Sequence, residues 1–443
     1  MTVLRRGFPR RAIPTTVRAT MRTTRTPDPI LTLVMAAGLA GCAAHAQNQQ
    51  TAPAPVNSPT AVVQEIQGAD FQACLGNIKA MALREGVPAA VADQALNGLT
   101  PDQRVLDLDS RQPEFSLTLA RYLANAISPE RIARGRQMLA QHRALLESVE
   151  RDYGVQPHYL VAFWGLESGY GTFVGDFSVV RSVATLACRT RRAQFFAGET
   201  VQALRILASQ HMQAAQMRGS WAGAMGNTQF MPSTFMRHGV DRDGDGRVDL
   251  WRSLPDVFAS SANFLNRSGW KRGQDSHIEV SLPQGFPYAR VDLNEERTAR
   301  EWRALGVTQA DGRPLPEFAD RAAIAIPAGH RGPAFLMLPN FKVVMIWNRS
   351  VLYAISVGVL ARQIAGGPGL MRSAPPDDQP ISRDAAIDLQ QRLIKLALYS
   401  DEADGLIGPK TRAALRAFQI RAGLVADGHP SPETLARLRA TAP

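Results

Sequence analysis

The chain has 443 residues, 45% hydrophobic and 20% charged, which is enough for two or three domains and excludes a disordered or repetitive polymer. Its formal net charge is +11, but residues 1–41 hold seven arginines against one acid, Asp28, so the remainder is only mildly basic at about +5. No lysine/arginine stripe is interleaved with aromatic residues, which argues against nucleic acid and leaves anionic lipid or an acidic polymer as suitable surfaces.

The N-terminus reads as an export signal over 1–41. Arg22 and Arg25 precede an apolar run, Ile30 to Leu39, that is too short for a comfortable membrane span. The run ends in Leu39-Ala40-Gly41-Cys42, which resembles a bacterial lipobox, with Cys42 as the residue to be lipid-modified. Ala44-His45-Ala46 is a competing site for ordinary signal cleavage, and either Met1 or Met21 can be the start. Ala43 and Ala44 bring no aspartate, which resembles outer-membrane sorting, so the expected place is the periplasm, lipid-anchored to the outer membrane. Residues 42–68, rich in Ala, Gln, Pro and Thr, read as a flexible tether. An oxidising compartment permits a disulfide between Cys74 and Cys188, with two free buried thiols as the alternative.

From Phe71 to about Gln210 the pattern is mostly helical. Phe71, Leu75, Ile78 and Ala82 make one apolar stripe, closed by Gly86-Val87-Pro88. Ile132, Met138, Leu139, Leu145, Leu146 and Val149 predict one longer helix running to Tyr153-Gly154. Pro157 then opens a helix, as a first-turn proline does. Along it Leu160, Phe163, Trp164 and Glu167 share one face, and Ser168-Gly169-Tyr170-Gly171 ends it. Glu167 therefore continues a buried face near the negative end of the helix dipole, and both effects favour its protonated form. That is the condition of a general acid working near neutral pH; a core-edge Glu paired with an arginine is the structural alternative.

Residues 219–233 are glycine-rich without the order or lysine of a phosphate loop. Ser220, Asn227 and Gln229 offer hydrogen bonds of the kind sugars use, and Trp221 and Phe230 offer apolar faces. The next segment places Asp241, Asp243, Asp245, Gly246 and Asp249 at positions 1, 3, 5, 6 and 9 of an EF-hand calcium loop, with Arg247 at the carbonyl position. Position 12 should be a bidentate Glu and is Arg252, so calcium in the Asp241–Arg252 loop stands against a plain Asp/Gly turn. Between about Lys271 and Asn340, alternation at Ile278–Leu282 and Ala323–Pro327 predicts a small β subdomain inserted in a helical body. Helix resumes from Phe341 through Trp347, Tyr353 and Leu360 to Gly366. Residues 371–380 read as a linker. A unit of three short helices follows over 381–440, with Asp404-Gly405-x-x-x-Pro409-x-Thr411 repeated as Asp427-Gly428-x-x-x-Pro432-x-Thr434.

Taken in order, Trp164-Gly165-Leu166-Glu167-Ser168-Gly169-Tyr170-Gly171, the Ser220–Ser233 loop, the Asp-Gly-Asp-Gly loop and Trp347-Asn348-Arg349-Ser350 resemble the membrane-bound lytic murein transglycosylase B family over residues 69–370. The last sixty or so residues resemble a three-helix peptidoglycan-binding domain. The resemblance implies a mainly α protein: a lysozyme-like α+β catalytic body with a small inserted β subdomain, then the three-helix domain. It also implies cleavage of the MurNAc–GlcNAc β-1,4 bond without water to leave 1,6-anhydroMurNAc ends, and no required cofactor. Glu167 would be acid and then base, and Ser220, Gln229, Asn348 and Tyr353 would meet substrate. Trp347 stands where a Tyr is common, keeping a stacking face but losing a hydroxyl, and Asn227-Thr228 replace a common Tyr-Gly. Expected partners are peptidoglycan strands, the membrane through Cys42, and other cell-wall enzymes. A retaining glycosidase needs a second carboxylate about 5 Å from the first. Asp176, the nearest acid downstream, reads as a surface residue, so one Glu would serve. A hydrolytic muramidase and a non-catalytic wall-binding lipoprotein remain the other readings.

Overall fold

The computed structural model describes residues 71–110, 117–291 and 295–441. The signal segment, Cys42 and the tether lie outside them. The first helices are α1 (Phe71–Arg84), α2 (Ala89–Leu96), α3 (Gln103–Ser110), α4 (Leu119–Ala126) and α5 (Pro129–Gln141). All four stripe residues of α1 are buried. The long helix expected up to Tyr153 is two: α5 stops at His142, and α6 (Arg143–Tyr153) begins at once. The apolar spacing runs on across the break, so periodicity alone does not reveal it.

α7 (Pro157–Ser168) has its proline at the first turn and ends at Gly169 in the left-handed region (φ 59°). The sequence shows a one-sided apolar stripe, yet every residue from Tyr159 to Ser168 is buried. The reason is position: α5, α6, α11 (Leu254–Arg267) and α14 (Val351–Ile364) all pack around it. A helix enclosed on all sides needs no polar face. Between these elements come the short strand β1 (Phe177–Ser178), α8 (Val179–Arg189), α9 (Ala193–Ser209), β2 (Arg218–Gly219) and α10 (Pro232–His238). β1 and β2 pair antiparallel. Cys74 of α1 and Cys188 of α8 are joined as a disulfide across 114 residues of chain.

The inserted β unit has four antiparallel strands in the order β4-β3-β6-β5, namely β3 (His277–Ser281), β4 (Thr308–Gln309), β5 (Ala323–Ala325) and β6 (Ala334–Met337). It includes α12 (Ala299–Ala304), whose Trp302 donates its indole N–H to Ala322 O. Alternation along the strands sends side chains to two cores. Ala323, Ala325, Phe335 and Met337 join the main helical core, while Val280, Ile324 and Leu336 join Trp302 in a second one. The helical stretch after Asn340 is also broken. α13 (Pro339–Trp347) and α14 meet at 115°, with Ser350 capping α14 through its Oγ to the N–H of Tyr353.

The C-terminal unit is α15 (Arg383–Lys395), α16 (Pro409–Arg421) and α17 (Pro432–Thr441) around Leu389, Leu393, Leu415, Phe418 and Leu438. The half-repeat has a structural basis. Gln390 donates to Asp404, Leu406 O and Thr411 and accepts the N–H of Gly405. Gln419 does the same with Asp427, His429 O, Thr434 and Gly428.

Candidate active site

Glu167 sits on the last turn of α7 and is 6% exposed. Two donors meet its Oε1: the indole N–H of Trp347 at 2.9 Å and the hydroxyl of Tyr353. The break between α13 and α14 brings them there together. Trp347 ends one helix, Tyr353 starts the next, and Asn348 Oδ1 holds the turn between by accepting the N–H of Ser350 at 3.0 Å. Burial pushes the Glu167 carboxyl up from 4.5 to about 7, while the bonds from Tyr353 and Trp347 pull the other way. The group is thus poised to give and take a proton near neutrality. Asp176 is 57% exposed at its side chain and lies 3.4 Å from Arg104.

Trp347 is placed differently from a sugar platform. It is 5% exposed and enclosed by Phe163, Phe264 and Phe230, with ring centroids 4.5, 5.0 and 5.2 Å away. Its polar atom serves Glu167.

The glycine-rich segment is likewise more enclosed than an open sugar loop: residues 219–232 are all buried. Ser220 Oγ accepts the N–H of Ala224 at 3.0 Å and closes a turn. Gln229, at φ 51°, donates to Gly226 O at 2.9 Å and to Val174 O at 3.2 Å, fastening the segment to the turn after α7. A Cβ on Gly175 would lie 2.0 Å from Gly219 O, so only glycine lets these two backbones touch. Sequence reasoning missed Tyr122, a buried phenol of α4 that burial and the charge of Glu167 both push up. Its own helix carries no signal for that role.

The acidic loop clusters differently from the EF-hand numbering. Among the described residues the carboxylates within 4.8 Å of one another belong to Asp241, Asp243 and Asp256, the last buried and well past position 12. Asp245 Oδ1 accepts the N–H of Arg247, and Asp249 Oδ1 accepts those of Trp251 and Arg252. Asp245, Arg247 and Asp249 are not members of that cluster. Asp241 takes the N–H groups of Gly244 and Gly246, and Asp256 takes those of Arg242 and Asp249, so the loop is also braced by its own backbone.

A buried, neutral-poised carboxylic acid at the end of a central helix, in a mainly helical body with a small sheet, defines a lysozyme-like glycan-cleaving class. Comparison with known proteins narrows it. Residues 70–362 match the transglycosylase SLT domain and residues 382–438 a peptidoglycan binding domain, and the chain belongs to the SLT transglycosylase family, enzymes acting on peptidoglycan. It is 29% identical over 251 residues to membrane-bound lytic murein transglycosylase B of Escherichia coli (strain K12), covering 55% of this chain and 67% of that one. It resembles SltB3 from Pseudomonas aeruginosa, solved in complex with NAG-anhNAM-pentapeptide, at 42% identity and a TM-score of 0.81, over 84% of this chain and 100% of that one. Escherichia coli Slt35 in complex with calcium is 26% identical with a TM-score of 0.59, over 70% of this chain and 98% of that one.

Proposed function

We propose that this lytic transglycosylase cleaves the MurNAc–GlcNAc β-1,4 bond with Glu167 alone as acid and then base. The observation that carries this is the environment of Glu167: a buried carboxyl raised to about 7, with both donors on Oε1. With Oε1 accepting two hydrogen bonds, the acidic proton resides on Oε2. Oε2–H passes its proton to the glycosidic oxygen as the C1–O bond breaks, and the 2-acetamido carbonyl supports C1. The carboxylate, held by Trp347 and Tyr353, then takes the proton of the MurNAc C6 hydroxyl as O6 bonds to C1. The proton returns to Glu167, no water is consumed, and a 1,6-anhydro end results. Ser220, Gln229 and Asn348 shape the walls of the substrate cleft through the backbone they hold.

Glu167→Gln keeps the shape and removes the proton. It should abolish release of soluble muropeptides from purified sacculi while sacculus binding persists, and wild-type products should be lighter than hydrolytic ones by one water. Reducing ends alone, or lysis by the variant, would overturn the assignment.

The acidic loop is read as a calcium site of structural role, held by Asp241, Asp243 and Asp256. The chemistry of three hard oxygen donors suits that ion. Export to the periplasm with lipid on Cys42 completes the reading. Cys42→Ala should move the protein from the outer-membrane fraction to the soluble fraction, and an unchanged distribution would remove the anchor.

A further inference from the structure

Asn227 sits where three segments of the catalytic body meet. Its Oδ1 accepts the indole N–H of Trp164 at 2.8 Å. Its Nδ2 donates to the carbonyls of Leu250 and Trp251, both at 3.0 Å. Its backbone N–H also donates to Leu250 O, at 2.8 Å. The residue is 3% exposed, and both of its side-chain donor hydrogens are used. The amide has one workable orientation, because the reverse would set oxygen against two carbonyls and NH2 against an indole N–H.

Trp164 lies three residues before Glu167, on the same face of α7. Its ring is fixed edge-on by Phe258 at 5.3 Å and Tyr170 at 5.7 Å. Gly171, just beyond the helix end, lies so close that a Cβ there would be 2.7 Å from Asn227 Oδ1 and 3.6 Å from the Trp164 ring. One amide therefore touches the helix that carries Glu167 and the turn that ends it. On its other side it grips Leu250 and Trp251, the two residues that follow Asp249 of the acidic loop.

We propose that Asn227 is a positioning residue for Glu167. Through Trp164 it fixes the last turn of α7 against the segment after the acidic loop, and so sets the depth at which the carboxyl is buried. This rests on the reading of Glu167 as acid and base. With its donors spent inside the protein, Asn227 acts on the reaction through Trp164 and not through contact with the glycan.

The test uses the full chain with Asn227→Ala and Asn227→Asp, alongside Glu167→Gln, on purified sacculi. Rates and half-saturation are read from about pH 5 to pH 9, spanning the range in which Glu167 titrates. Asn227→Ala should lose about tenfold or more in kcat with little change in KM, since small misplacements at a reacting group cost up to about a hundredfold. Its activity should also fail at lower pH than that of the wild type. A loosened Glu167 meets water, loses the burial that raises its pKa, and gives up its proton earlier. Asn227→Asp keeps an acceptor for Trp164 but faces two carbonyls with oxygen, so it should regain activity toward acid, where its own protonation restores a donor. If Asn227→Ala does not fold, that acid recovery carries the test alone, with the Trp164 indole N–H resonance reporting the bond.

A displaced indole resonance with kcat and pH profile unmoved would overturn the proposal. An active Glu167→Gln would instead bring down the reading of Glu167 itself.

Discussion

At Glu167 the same burial that makes the carboxyl useful makes it costly. Its folded pKa of about 7 exceeds its ordinary 4.5, so the folded protein holds a proton that the unfolded chain releases. The resulting stability is present below about 4.5 and is lost as pH rises through about 7. Glutamine never ionises. Glu167→Gln should therefore match the wild type near pH 4 and exceed it above pH 7 by roughly 3 kcal/mol, the size of a shift of about two and a half units. Denaturant titrations at the two pH values measure this, and a gap independent of pH would mean that the carboxyl is solvated. Burial of this residue was readable in the sequence from its place on an apolar helix. The roles of Trp347 and Tyr353 were not, because each reaches Glu167 across about 180 residues of chain. The family resemblance set Tyr353 among the substrate-meeting residues and gave Trp347 a stacking face. Only the tertiary fold turns their donors onto one oxygen.

Among the elements, the acidic loop shows a fold grouping carboxylates differently from a linear sequence template. The Asp/Gly spacing located the turn. Asp256 lies on the first turn of α11, outside a twelve-residue frame, and the fold alone brings it beside Asp241 and Asp243. The helix breaks at His142 and at Asn348–Ser350 were hidden for a related reason, since apolar spacing continues across both. The cluster supports a definite expectation. Calcium at a hundredfold excess over its Kd should stabilise the protein by about 2.7 kcal/mol, read as a rise in Tm. Asp256→Asn should abolish that rise, and Asp245→Asn should leave most of it. A rise that survives Asp256→Asn would return the ligand set to the EF-hand numbering, and no rise in either protein would leave the loop as a self-braced turn.

Across the whole molecule, the division into a catalytic body and a three-helix unit was readable from composition and from the Asp-Gly half-repeat. How the two units meet was not. The second copy of the repeat faces the β subdomain: Asp427 Oδ2 accepts the backbone N–H of His330 at 2.9 Å and contacts its ring Nδ1 at 2.7 Å. The intervening segment is pinned as well. Glu279 of β3 takes the N–H groups of Met371 and Arg372, Asp377 pairs with Arg331, and Asp378 with His429. In the first copy Asp404 is exposed, so the two halves of one motif serve different ends. These contacts join the three-helix unit to the β subdomain, and the expected consequence is that binding and cleavage address the same stretch of glycan. Gly329 is the place to test it. It has φ +70°, and a Cβ there would lie 2.8 Å from Asp427 Oδ2 and 3.0 Å from His429 Cβ. Gly329→Val should wedge the units apart without touching either core. The radius of gyration in solution scattering should increase and proteolysis within 371–380 should quicken. Sacculus binding should persist, while cleavage of sacculi falls more than cleavage of short soluble glycans. An unchanged scattering profile would mean that contacts other than the Asp427 turn hold the unit in place, and equal loss on both substrates would place the damage in the catalytic body.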